Sequence, residues 1–242
     1  MEAVKYKEIN KTNNALLSAV SHELRTPIAA IKGYSTMLLD YFPELTVEET
    51  KEYIQSIDNA TDKLTKLLDN ISDTSRLEAG LIKLEKTTVN ITDLIKEAVK
   101  EAEANDKQHK IITEFENTKT IVFIDPQRIR QVLDNLLDNA AKRSPERTEI
   151  AVSANNNSQE LKISVIDHGP ERPAGKLSSI FELNNKTKKR TTRGMDGTGL
   201  RLYICQRLLA AHGGRIWAES TEGKGTTIQF SLPLTPEKVK RN

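Results

Sequence analysis

Between Ser21 and Pro27 the chain reads SHELRTP, which gathers an imidazole, a carboxylate and a hydroxyl in one short stretch. At about 100° per residue in a helix, Thr26 shares the face of His22, and Glu23 lies one step around from it. An exposed imidazole is a nucleophile when a carboxylate takes its proton or holds its tautomer, and phosphorus is an electrophile it can attack. A solvated surface histidine explains the same residues. Pro27 removes one backbone hydrogen bond and is expected to bend the helix.

A second group lies in RIRQVLDNLLDNAAKRSP, residues 128–145. Ile129, Val132, Leu133, Leu136, Leu137 and Ala140 make an apolar stripe, while Gln131, Asn135, Asn139 and Lys142 make a polar one at spacings of about four. Asn is a poor interior helix former. Two of them beside a core face suit a wall of amide oxygens for hydrated Mg²⁺, with Lys142 for phosphate. A solvated helix face is the plainer alternative. In VIDHGPERP, residues 165–173, a strand ends in Asp167, two residues before Gly169. A carboxylate there can accept from an exocyclic amine such as that of adenine, and an ordinary strand-ending turn fits as well. Seven of the eleven glycines fall between 194 and 225, and Gly194, Gly197 and Gly199 precede an apolar helix. Glycines at that place let backbone N–H groups close on phosphate. The basic run KTKKRTTR just upstream is a solvated loop or an attraction for polyphosphate.

Two kinds of element must position these groups. Leu17, Leu24, Ile31 and Leu38 recur every seven residues, with Ile28 between them, as a coiled-coil-like seam. His22 then points about 140–160° away from that seam. The pattern breaks at DYFPELT, and Thr46 with Glu49 reads as a capping box starting a second helix. Ile54, Ile57, Leu64, Leu68 and Ile71 form its stripe. Two such helices make an antiparallel hairpin too thin to bury its own apolar surface, and dimerisation into a four-helix bundle solves that. Beyond Gly80 the period changes. LIKLEKTTVN, TIVFID, TEIAVSA and LKISVID alternate as strands, helices are expected near 91–104, 126–142 and 198–212, and GRIWAES and GTTIQFSLPL read as a closing hairpin. Strands mixed with helices imply an α/β sandwich, one mixed sheet with helices on one face. The fold class is therefore α followed by α+β, divided near 78–86.

Composition narrows the functions. The chain has 242 residues, a net charge of +2 and 5% aromatics, which speaks against nucleic-acid binding and base-stacking platforms. The single cysteine, Cys205, excludes an intrachain disulfide or thiolate metal cluster and fits a reducing, cytoplasmic setting. No apolar run approaches the roughly 20 residues that span a bilayer, and no signal peptide is visible. The polar start reads as that of a soluble piece, with room for a sensory or membrane segment before Met1.

Taken together the segments resemble a sensor histidine kinase of two-component systems. SHELRTP is similar to the phosphoacceptor box of HisKA domains. NLLDNAAK resembles the N box, DHG the first half of the G1 box, IFE the F box and GTGL the G2 box of the superfamily that unites gyrase, heat-shock chaperone, histidine kinase and MutL ATPases. The resemblance implies a dimerisation and phosphotransfer domain over residues 1–80 and an ATP-binding catalytic domain of Bergerat fold over 81–242. It implies that His22 is phosphorylated, with Glu23 as its base and Thr26 orienting the water that dephosphorylates a response regulator receiver domain. Asn139 would coordinate Mg²⁺, with Asn135 and Lys142 near the phosphates of ATP. Asp167 and Gly169 would bind adenine, and Gly197, Thr198, Gly199 and Leu200 would border the phosphates at a mobile lid. It also implies a homodimer.

The pocket departs from the pattern in four places. Glu171 replaces the second glycine of the G1 box, Arg201 the third glycine of the G2 box, LNNK follows IFE without an aromatic, and Arg143 stands where an aromatic often follows the N-box lysine. If Glu171 has to be left-handed, the cost is on the order of 1–2 kcal/mol, roughly tenfold in an equilibrium. Arg201 in a first helical turn can instead add a phosphate contact. These departures keep a second reading open, a degenerate kinase acting mainly as a response-regulator phosphatase or interaction scaffold. The intact acceptor box opposes a third, an ATPase of the superfamily without phosphohistidine.

Overall fold

The computed structural model describes residues 2–78, 83–116, 120–157, 159–173, 175, 177–182, 199–221, 223 and 225–234, with backbone alone for 2–16 and 73–78. The chain divides into two compact units, Met1–Leu81 and Ile82–Asn242.

The first unit is a helical hairpin of α1 (Glu2–Tyr41) and α2 (Val47–Glu78), joined by a 3-10 turn at Phe42–Glu44. α1 runs through Pro27, whose ring is buried. The expected capping box starts α2: Thr46 N donates to Glu49 Oε2 at 2.9 Å and Glu49 N to Thr46 Oγ1 at 3.2 Å. Those donors hold the Glu49 carboxyl below its usual range. The buried residues are not the expected seam. Ala19, Pro27, Ala60 and Leu67 are buried, Leu24, Ile31, Leu38, Ile57, Leu64 and Ile71 are half-buried, and Leu17, Ile28, Ile54 and Leu68 are each more than half exposed. Two helices touch along one flank only, and small alanines allow that contact; the leucines and isoleucines of the other flank stay in water.

In the second unit, β1 (Thr87–Asn90) pairs antiparallel with β3 (Ile121–Ile124) as a small ribbon. The main sheet joins β2 (Lys110–Phe115), β4 (Glu149–Asn156), β5 (Glu160–Asp167), β7 (Gly225–Pro233) and β6 (Arg215–Thr221) in the order β2-β4-β5-β7-β6. β2 runs parallel to β4 and the other neighbours are antiparallel. Alternate residues such as Ile150, Val152, Ile163, Val165, Ile228 and Phe230 are buried. They form the core with α3 (Ile91–Asn105), α4 (Pro126–Arg143) and α5 (Leu200–Ala211), which contribute Ile95, Ile129, Leu133, Leu136, Ile204 and Leu208. Cys205 is buried beside the Val132 carbonyl, and burial pushes its thiol up to about 12.

Caps fix where α4 begins. Asp125 Oδ1 accepts from Arg128 N at 3.1 Å, Pro126 supplies the first turn, and Asp125 Oδ2 accepts from Glu85 N at 3.0 Å. The Asp125 N–H donates to His212 Nε2 at 3.1 Å, while His212 Nδ1 donates to the Leu208 carbonyl at 2.8 Å. The far end of α5 is thereby stitched to the near end of α4 by a neutral imidazole, whose pKa burial lowers.

Candidate functional site

In the hairpin, His22 and Thr26 are both exposed, four residues apart on one flank of α1, while Glu23 is half-buried. Ser21 Oγ donates to the Leu17 carbonyl at 2.8 Å, a local bond that leaves His22 at the surface. The buried Pro27 ring faces the other way. The arrangement presents an imidazole to solvent on a rigid helix, as a nucleophile requires.

The second constellation is built where the end of α4 meets the end of β5. The apolar stripe of α4 (Ile129, Val132, Leu133, Leu136, Leu137, Ala140) is buried as a unit, which forces the neighbouring flank, Asn135 and Asn139, into the protein edge. Both asparagines are half-buried; the Asn139 Nδ2 is excluded from water without a partner, while the Asn135 amide lies against the Cys205 sulfur. Lys142 is exposed and bonds Asp138 at 2.7 Å, and Arg201 of α5 pairs with the same carboxylate. Asp138 thus gathers the cations that the sequence assigns to phosphate. Among the described residues no group of three His, Cys, Asp or Glu side chains could hold a metal ion. A hard cation here would rely on amide oxygens and on the oxygens of a bound ligand, which the asparagine pair fits.

Asp167 ends β5, is 1% exposed and pairs across the sheet with Thr226 of β7, also 1% exposed. The Thr226 hydroxyl is buried without a partner. Sequence reasoning missed Thr226, because only the strand register sets it opposite Asp167. Asp167 Oδ1 accepts from Gly169 N at 2.9 Å. Burial drives its carboxyl upward, against the pull of that bond and of the nearby charges of Arg143 and Arg172, and the net shift is up. Two glycines permit the close packing. A Cβ on Gly169 would lie 2.6 Å from the Arg143 carbonyl oxygen, and one on Gly225 would strike the Asp167 carbonyl. Gly225 also has φ 83°, in the left-handed region.

Glu171 is not left-handed: Arg147 is the one non-glycine residue with positive φ among those described. Instead the Glu171 side chain accepts the Gly223 N–H at 2.6 Å and ties the loop after β5 to the β6–β7 turn. The expected backbone cost at this position does not arise. Arg143 Nη2 donates to the Pro170 carbonyl at 2.6 Å, and Arg172 N donates to Ser220 Oγ at 3.1 Å. A cavity of about 350 Å³ lies along this loop, lined by Pro145, His168, Gly169, Pro170, Glu171, Gly223 and Gly225. Its lining begins one residue after Asp167 and includes neither Asp167 nor the asparagines.

At α5, Gly199 is the N-cap with φ 74°, and a Cβ there would meet the Glu182 carbonyl at 3.0 Å. Gly199 has no side chain to cap the helix, and among the described residues none caps it. The Leu200 side chain is fully buried, so only its backbone can border phosphate. Ile180 and Phe181 of the IFE segment are core residues. Gly197 and Thr198 lie outside the described residues.

Comparison with known proteins gives two family matches. Residues 12–80 match the His Kinase A (phospho-acceptor) domain, and residues 124–236 the histidine kinase-, DNA gyrase B-, and HSP90-like ATPase family. The chain is 31% identical to the sensor histidine kinase WalK of Bacillus subtilis (strain 168), over 98% of its own length and 39% of that protein's. It thus spans about two fifths of that curated relative. Among solved structures, the nucleotide-free catalytic domain of histidine kinase ThkA is 30% identical, covers 64% of this chain and 100% of that one, and has a TM-score of 0.56. ThkA in complex with response regulator protein TrrA is 28% identical, with a TM-score of 0.65 over 98% of this chain and 68% of that one.

Proposed function

The chain belongs to the sensor histidine kinases, and on that premise we propose that it is a Mg-ATP-dependent autokinase that passes its phosphoryl group to a response regulator. Residues 1–80 act as the dimerisation and phosphotransfer domain and 81–242 as the ATP-binding catalytic domain. The observation that carries the reading is a pair of buried polar groups without partners, the Asn139 amide on α4 and the Thr226 hydroxyl opposite Asp167. Each such atom costs about 1–3 kcal/mol when it stays unsatisfied. A polar ligand with donors and acceptors relieves that cost.

In this reading Asp167 accepts from the exocyclic amine of adenine, and Gly169 lets the base approach the backbone. Asn135, Lys142 and the N–H groups after Gly199 hold phosphate oxygens, with Gly197, Thr198 and Leu200 at the same border. Asn139 would offer its amide oxygen to Mg²⁺, which when bound would supply neutralisation of charge on the transferred phosphoryl group. Glu23 takes the proton of His22 as its outer ring nitrogen forms a bond to the γ-phosphorus. The bond from that phosphorus to the bridging oxygen breaks, and ADP leaves. An aspartate of a receiver domain then attacks the phosphorus, and the N–P bond breaks. Thr26, exposed beside His22, orients water for the reverse duty of dephosphorylating the regulator. The apolar residues left exposed on the hairpin, Leu17, Ile28, Ile54 and Leu68, are the surface a second copy covers.

Incubation with γ-labelled ATP and Mg²⁺ tests this directly. Acid-labile, alkali-stable label is expected on the parent chain and none on His22→Gln. A folded dimer that takes no label at millimolar ATP defeats the kinase reading. It leaves the phosphatase or scaffold, for which the capture of Lys142 and Arg201 by Asp138 is the favouring observation.

A further inference from the structure

Arg143 and Arg172 bring an unusual set of donors to Asp167. The Nε atoms of both are excluded from water and have no partner. The Arg143 guanidinium is held by its bond to the Pro170 carbonyl, and its backbone packs against Gly169, which bonds Asp167; the Arg172 backbone bonds Ser220, which pairs with Thr226, the strand partner of Asp167. No ion pair joins either guanidinium to Asp167 among the described residues, although the three charges act on one another. Burial and the charge of Arg143 lower Arg172 to about 10, which leaves it cationic at neutral pH. Two groups that only donate therefore stand beside one that, ionised, only accepts.

A carboxylate alone reads position 6 of a purine in one sense. It accepts from the amine of adenine and repels the carbonyl of guanine or hypoxanthine, and a site built that way rejects the wrong group by about 10⁴-fold or more. Guanidinium N–H groups have the opposite preference and pair with the O6 and N7 acceptors of purines. We propose that Arg143 and Arg172 are specificity-determining residues that let this site accept 6-oxo as well as 6-amino purines, so that GTP and ITP bind alongside ATP. A 6-amino base uses Asp167, and a 6-oxo base turns its carbonyl to the arginines. The inference rests on the nucleotide-site reading of Asp167.

Displacement of a ribose-labelled fluorescent ATP from the full chain, with Mg²⁺, tests it. GTP and ITP are expected to compete within about tenfold of ATP, and Arg143→Leu with Arg172→Leu to lower the GTP-to-ATP affinity ratio at least tenfold. ATP competing while GTP and ITP are a hundredfold weaker overturns the inference and leaves the kinase reading intact. GTP competing with an unchanged ratio in the folded double variant also overturns it. ITP differs from ATP at position 6 without any mutation, so its result decides the matter even where the variant fails to fold. A chain that binds neither probe nor ATP sinks the nucleotide site itself and the inference with it.

Discussion

His109 lies between two acceptors: its Nδ1 is 2.7 Å from Asp106 Oδ2 and its Nε2 3.1 Å from the Pro145 carbonyl. Both bonds need protons, so the ring is an imidazolium when both are made. Burial lowers its pKa, but the bond to Asp106, that residue's charge and the Pro145 and Ser144 carbonyls outweigh it, and the net shift is up. A raised folded-state pKa gives stability that is complete below the unfolded value of about 6.5 and is lost as pH rises through the folded one. Unfolding of the second unit in denaturant is expected to show that loss, and His109→Gln to abolish it. His212 works in the opposite sense, since its lowered pKa removes stability as pH falls below about 6.5. At this scale the candidate residues His22, Asn135, Asn139 and Asp167 were legible in the sequence through residue type and local spacing. Thr226 was not, because a threonine opening a strand has no local signature and gains its place only from its register with Asp167. Glu171 misled for a related reason: a glutamate in a glycine's place suggests strain, whereas its side chain makes a bond 52 residues away that sequence does not encode locally.

The elements follow local rules where those rules are strong. Thr46 and Glu49 announce the start of α2, and Thr46→Ala is expected to cost about 1 kcal/mol in thermal or chemical unfolding of the hairpin. Gly225→Ala is expected to be far worse, above about 2 kcal/mol, because a left-handed φ and a collision with the Asp167 carbonyl coincide. The loss should appear as failed expression or as a second unit that unfolds early while the hairpin persists. β2 escaped the sequence because KIITEF lies at an edge, with Lys110 and Glu114 in water, so its burial does not alternate. The hairpin seam was legible as a heptad, yet the heptad pooled two surfaces. Ala19, Pro27, Ala60 and Leu67 close the hairpin, and Leu17, Ile28, Ile54 and Leu68 do not. Small residues carry little hydrophobic signal, so the inner face was the harder one to see.

For the molecule as a whole, the change from a seven-residue to a two-residue period marked the passage from hairpin to sheet, because each period belongs to one kind of element. If the chain dimerises through the hairpin as proposed, Ile28→Glu is expected to give a monomer at micromolar concentration in sedimentation, with the second unit still folded and the proposed label on His22 reduced. Cys205 has one more consequence. It is the chain's one cysteine and is fully enclosed by the core of α5 with an inert thiol. A thiol-reactive dye therefore reacts only when that helix opens, and the labelling rate in native buffer becomes a clock for breathing of the second unit. Saturating nucleotide should slow that clock, giving a stopwatch for ligand binding that needs no engineered reporter and no catalysis.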